Sequence, residues 1–130
     1  MLANNPYERY KQTRVETAGP LQLIIMLYDG AIRFTRQAAH AIEERDYEKA
    51  NEYLKRAQDI IDELNFSLNL EAGDIAKNLQ QLYEFINHQL VQANVKKDAA
   101  SLQSVERILV TLRSAWDELR KPENKKAVGV

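Results

Sequence analysis

Four stretches of the chain carry apolar side chains at alternating three- and four-residue intervals, and few folds can use that rhythm. The first runs through Leu21, Ile24, Tyr28, Ala31, Thr35, Ala38 and Ile42, the second through Tyr47, Ala50, Leu54, Ala57, Ile61, Leu64 and Leu68. The third has Ile75, Leu79, Leu82 and Ile86 and then slips to Leu90 and Ala93. The fourth has Leu102, Val105, Leu109, Leu112, Trp116 and Leu119. Such spacing lines side chains along one stripe of an α-helix, and no segment alternates with the period of two that a half-buried strand shows. The breaks fall where helices should end. Gly19-Pro20 suits an N-cap followed by the first helical residue, Asp46 and Asp98 suit N-caps, Gly73-Asp74 marks a joint and Lys121-Pro122 a stop. Helices of roughly 20–25 residues are about 30–37 Å long at about 1.5 Å per residue, and short joints make successive ones antiparallel neighbours. The predicted fold is therefore all-α, an antiparallel up-down four-helix bundle over residues 20–120. Residues 1–19 are expected to form an N-terminal capping arm, with or without a short helix of its own. Residues 121–130, which end in PENKKAVGV, are expected to be a flexible tail.

Composition narrows the class of function. The 130 residues suffice for one domain with a core. A net charge of −1 offers no basic footprint for nucleic acid or an anionic membrane. The longest apolar run, LIIML with Tyr28 behind it, is far too short for a bilayer, and no basic leader with an apolar stretch opens the chain. The absence of cysteine removes disulfides, thiol nucleophiles and thiolate metal sites together. These features predict a cytoplasmic protein without direct membrane insertion.

Catalytic constellations are weak. His40 has Glu44 one turn on, and Glu84 has His88 one turn on, spacings that charge balance on a helix surface explains. A di-iron bundle needs Glu-x-x-His on two helices plus two further carboxylates, and the Glu84–His88 spacing is wrong for it. A histidine-phosphotransfer module shares the bundle architecture and is the alternative reading. Proteins of that type resemble one another in a His-x-x-Lys-Gly stretch, where this chain has HAIE and HQLV. No phosphate-cradling glycine loop, nucleophile elbow or zinc motif is present. No enzyme activity, cofactor or metal is expected.

The pattern holds more apolar surface than one stripe per helix requires. In LQLIIMLY, residues 21–28, only Gln22 is polar, and Leu23, Leu27 and Phe34 run along a second face. Several large side chains left in water would mark an interaction site. The nearest cover is the arm, with Tyr7, Tyr10 and Val15 and the stiffening Pro6. Tyrosine suits a reversible cover because its ring packs while its hydroxyl tolerates water. The arm is either a displaceable cover or a fixed part of the core, and periodicity does not choose between them. The third segment adds a second sign. From Asn78 to Asn94 its only formal charge is Glu84, and its polar positions are the amides Asn78, Gln80, Gln81, Asn87, Gln89, Gln92 and Asn94. Interface cores are depleted in charge and amides are cheaper to dehydrate than ions. With Tyr83 and Leu90 read as lying beside its core stripe, this helix is expected to face a partner.

The opening NPYERYKQTRVETAGPLQLIIMLYDGAIRF closely resembles that of the bacterial flagellin export chaperones, the FliS family. The likeness continues through RAQDIIDELNFSLN, IAKNLQQLYEFI, LVQAN and LRSAWDEL, covering roughly residues 4–119, and the TAGP…MLYDGA and LVQAN blocks are specific. Gly19 departs from the family's Ser or Thr, but glycine is also acceptable at an N-cap. The resemblance implies a cytoplasmic chaperone that holds the disordered C-terminal region of flagellin in a hydrophobic groove. It would prevent premature polymerisation and deliver the client to the flagellar export gate. It implies an N-terminal segment able to cap that groove. Tyr7 and Tyr10 match the motif tyrosines, and Leu23, Leu27, Tyr83 and Leu90 fall on the groove side; Val15, Phe34, Asn87 and Asn94 complete the expected partner face. An open groove is equally able to trap a second copy of the chain, so self-association is possible.

Overall fold

The computed structural model of the chain describes residues 19–121. Four α-helices follow one another among them: α1 Pro20–Glu43, α2 Tyr47–Phe66, α3 Asp74–Lys96 and α4 Ala99–Arg120, with a single 3-10 turn at Leu70–Ala72 before α3. No strand occurs among the described residues. α1 packs on α2 and α4, α2 on α3, and α3 on α4, while the diagonal pairs do not approach through their backbones. This is the predicted up-down bundle. The arm through residue 18 and the tail from residue 122 lie outside the described residues.

Two of the three joints use the same device. At residues 44–46, Arg45 takes a left-handed φ of 60° and the Asp46 N–H reaches back to the Ala41 carbonyl at 2.8 Å. The Asp46 side chain then accepts the Lys49 N–H at 3.2 Å and caps α2. At residues 97–98, Lys97 has φ 54°, the Asp98 N–H bonds the Ala93 carbonyl at 3.1 Å, and Asp98 caps α4 through the Ala100 N–H at 2.9 Å. One left-handed residue and one aspartate thus end a helix, reverse the chain and begin the next. The middle joint is longer. Ser67 ends α2, Asn69 caps the 3-10 turn through the Glu71 N–H at 3.1 Å, and Gly73 at φ 115° and ψ −160° leads into α3. That backbone geometry favours glycine.

The core departs from the single-stripe expectation on α1. This helix buries Ile25, Leu27, Tyr28, Gly30, Ala31, Ile32, Thr35, Ala38, Ala41 and Ile42, an arc much wider than one stripe. The small residues account for it. Gly30 leaves so little room that a Cβ there would stand 3.0 Å from the Ile60 side chain of α2. Phe34, on the same side, stacks on Tyr53 of α2 with ring centroids 6.3 Å apart. The Leu23–Leu27–Phe34 row is therefore not a spare face in water: Leu27 is core, Leu23 and Phe34 are half-buried, and Phe34 packs on α2. α3 departs too. Its buried positions are Ala76, Tyr83, Ile86, Leu90 and Ala93, so Tyr83 and Leu90 lie in the core and not beside it, while Ile75 is 77% exposed. Tyr47 and Leu119, expected on core stripes, are exposed, and Leu68 lies beyond the end of α2.

A hydroxyl cluster lies in this core. Tyr28 of α1 and Tyr83 of α3, across the bundle diagonal, bring their hydroxyls to 2.5 Å, and the Trp116 indole N–H of α4 donates to the Tyr28 hydroxyl at 3.3 Å. Burial raises the pKa of both phenols, and for Tyr83 the neighbouring Tyr28 raises it further.

Two outcomes are expected. Arg45→Gly relieves a left-handed non-glycine residue and should stabilise the chain by about 0.5–1 kcal/mol in urea denaturation. At alkaline pH the unfolded phenols ionise near pH ~10 while the buried pair stays protonated, so the unfolded chain binds fewer protons and stability falls as pH rises above that value. Phenolate absorbance should accordingly show two tyrosines ionising later in the native than in the urea-denatured chain.

Candidate functional site

The antiparallel order brings the start of α1, the end of α2, the start of α3 and the end of α4 to one end of the bundle. A cavity of about 350 Å³ opens there, bounded by Ile24 of α1, Leu64 of α2, Leu68 and Ala72 of the middle joint, Ala76 and Tyr83 of α3 and Trp116 of α4. Apolar side chains are left in water in the segments that bound it. Phe66 is 87% exposed, Leu70 is exposed in the 3-10 turn, and Ile75 forms part of the cavity wall. α2 ends at Phe66 and α3 begins only at Asp74, so the longer middle joint lies at this end and Leu68, Asn69 and Ala72 of it line the cavity. Large apolar groups around a concave opening are characteristic of sites that bind another chain.

The sequence-predicted partner residues are dispersed by comparison. Tyr7, Tyr10 and Val15 fall outside the described residues. Tyr83 is only 1% exposed yet forms part of the cavity wall. Leu27 and Leu90 are core residues. Asn87 and Asn94 point across to α2: the Asn87 amide donates to Asp62 at 2.7 Å, and the Asn94 amide donates to Asn51 at 2.7 Å and accepts from Lys97 at 2.5 Å. Two amides that looked available to a partner are engaged in holding α3 to α2. The amides Asn78 and Gln81 are exposed on α3, together with Phe85, Val91 and Val95.

Periodicity passed over Phe66 and Leu70. A usable signal was there: Phe66 lies off the α2 stripe, among charged and polar neighbours, and nothing in the sequence supplies it with a core. Ile24 and Trp116 stood in their stripes, but at the ends of helices, where a stripe is least enclosed.

Charge around the cavity is small. On the opposite groove between α1 and α4 charges are more numerous and mostly paired: Arg113 with Asp29 at 2.6 Å and Arg36 with Glu106 at 3.0 Å. The hydrogen bond to Asp29 raises the Arg113 pKa. His40 and His88 are exposed on separate helices, and the His40 imidazole stands 3.9 Å from Glu44. Among the described residues no group of three or more histidines and carboxylates could hold a metal ion, and no helix is long and apolar enough to cross a membrane. The arrangement offers a surface for binding through apolar burial.

Comparison with known proteins assigns this architecture. A family model described as "Flagellar protein FliS" matches residues 3–123. The flagellar secretion chaperone FliS of Bacillus subtilis (strain 168) is 42% identical over 125 residues, covering 96% of this chain and 93% of that protein. The protein of the same name from Salmonella typhimurium is 38% identical, with 92% of this chain and 93% of the relative covered. A solved structure described as a flagellar chaperone from bacteria superposes with a TM-score of 0.73 at 22% identity, covering 86% of this chain and 92% of the other, and shows the same fold. The chain belongs to the FliS family of flagellar proteins.

Proposed function

We propose that this chain is a cytoplasmic flagellar secretion chaperone. It holds the disordered C-terminal region of flagellin against its apolar surface, prevents premature polymerisation and delivers the client to the export gate. The observation that carries the reading is the open end of the bundle, where Ile75, largely in water, lines an apolar cavity, and Phe66 is exposed at the end of α2. A folded chain that needed nothing from outside would gain by closing this end. Burying such side chains contributes about 1.5–3 kcal/mol each, which a guest supplies by folding onto them as amphipathic helices. Ordering a disordered guest costs several kcal/mol, so the end cavity alone is too small. α3 also exposes Phe85, Val91 and Val95 further along its length.

The expected contact set shifts accordingly. Ile24, Phe66, Leu70, Ile75 and Trp116 join it. Tyr83 remains as wall, Leu23 and Phe34 as partly exposed neighbours, and Leu27 and Leu90 support it from within the core. Tyr7, Tyr10 and Val15 keep the role of a displaceable cover, since the chain enters α1 at this same end. The chaperone itself performs no catalysis and consumes no nucleotide. Membership of the FliS family favours export over phosphotransfer, and a second copy of the chain remains a competitor for the same surface.

Titration with a synthetic peptide from the flagellin C-terminal region should show saturable binding with a gain of helix by circular dichroism. Ile75→Asp should weaken that binding by more than tenfold, about 1.5–3 kcal/mol of lost burial, while helical content stays at the wild-type level because Ile75 is exposed. Unchanged affinity in Ile75→Asp would overturn this placement of the site. Leu27→Asp, by contrast, should unfold the bundle.

A further inference from the structure

The tyrosine pair in the core has one proton more than its partners can use. Trp116, Tyr28 and Tyr83 each supply one donor. The indole N–H is spent on the Tyr28 oxygen, and a single O–H···O bond joins the two phenols. Whichever phenol donates in that bond, the other keeps a free proton. Both residues are buried, and among the described residues no further acceptor is bonded to either hydroxyl. A buried donor without an acceptor is costly, and such donors are nearly always satisfied. Of the two, only Tyr83 lines the end cavity, so the arrangement with an outlet is Tyr28 donating to Tyr83 and Tyr83 keeping the spare proton. The other polar side chains of the lining are committed to the middle joint. The Ser67 hydroxyl donates to the Leu64 carbonyl at 2.7 Å, and Asn69 accepts the Glu71 N–H at 3.1 Å. A lone water needs two to four polar partners, and this lining is poor in them.

We propose that Tyr83 donates this proton to a main-chain carbonyl at the C-terminal end of a helix that the client forms in the end cavity. The inference rests on the flagellin-binding reading and deepens it, because the cavity then selects a helix end and not apolar bulk alone. A guest that docks as amphipathic helices brings unmet groups of its own. The last four carbonyls of each helix have no partner within it, and burying one unbonded among apolar side chains is costly. Carbonyls in the middle of a helix are already spent on the helix itself. The spare hydroxyl proton and a terminal carbonyl therefore satisfy each other, and the partial negative charge at a helix C-terminus adds to the attraction. A purely apolar side chain in the same place would seal the Tyr83 proton in without an acceptor.

Titration of the full-length wild type, Tyr83→Phe and Tyr28→Phe with the synthetic flagellin C-terminal peptide tests this. Each variant removes one hydroxyl from the same buried pair, but only Tyr83→Phe takes away the donor that lines the cavity. Tyr83→Phe should bind the peptide about five- to tenfold more weakly, and Tyr28→Phe within about twofold of the wild type. Equal affinities in all three proteins, or equal losses in both variants, overturn the donor role and leave the flagellin-binding reading standing. A wild type that does not bind the peptide at all overturns both. A Tyr83→Phe penalty that vanishes with a peptide whose Asn, Gln, Asp and Glu are replaced by alanine assigns the acceptor to a side chain, and the helix end fails. Should a variant lose helical content, the wild type alone decides through the deuterium isotope shift at tyrosine Cζ. One slowly exchanging hydroxyl of the Tyr28–Tyr83 pair in the free chain and two in the complex support the proposal. Two slow hydroxyls before the peptide is added mean an acceptor other than the client, one after it means water alone, and either result overturns it.

Discussion

The architecture turns on how closely α2 can approach α1. Gly30 admits the Ile60 side chain to a distance that any Cβ would contest, and Ala31, Ala38 and Ala41 keep the rest of the α1 surface low. With little side-chain bulk between them the two helices share a wide seam, and α4 closes on the other flank, where Arg113 meets Asp29 and Arg36 meets Glu106. α1 is consequently enclosed on two sides. α3 is held differently. Its backbone packs on α2 and α4 but not on α1; Ile86, Leu90 and Ala93 hold it in the core, and polar contacts add to them, Tyr28–Tyr83 across the bundle and Asn87–Asp62 and Asn94–Asn51 to α2. At the start of α3 Ala76 is buried while Ile75 beside it is left in water, and both line the opening.

The proposed hold on a disordered client would draw on this difference between the helices. A rigid part must persist through binding and release, and a less committed part must present apolar groups without collapsing on them. α1, α2 and α4 supply the first. The α3 entry and the joint before it supply the second, since Leu70 of the 3-10 turn and Ile75 just after Gly73 are exposed.

Much of this was legible in the residues, and the failures are instructive. The helix order and the caps at Asp46 and Asp98 follow from period and side-chain chemistry, which act locally. The FliS likeness followed from motif blocks that no periodicity could supply. What escaped was distance between helices. A three-four repeat reports the direction of a side chain but not how near the neighbouring helix comes. The Leu23–Leu27–Phe34 row therefore read as exposed, because nothing local says that Gly30 draws α2 over it. The same limit misplaced Tyr83, whose hydroxyl finds its partner on the diagonal helix, and Ile75, which shares its period with the core yet is exposed at the start of α3. Asn87 and Asn94 looked like dehydratable surface; only the cross-helix geometry reveals their partners.

The chain has a single tryptophan, and Trp116 belongs to the wall of the end cavity with its indole N–H on the Tyr28 hydroxyl. Indole emission depends on the polarity and hydrogen bonding around the ring, so the molecule carries its own optical probe at the mouth of its opening. Arrival or departure of whatever fills that space should register as a spectral shift, readable in real time and without any label.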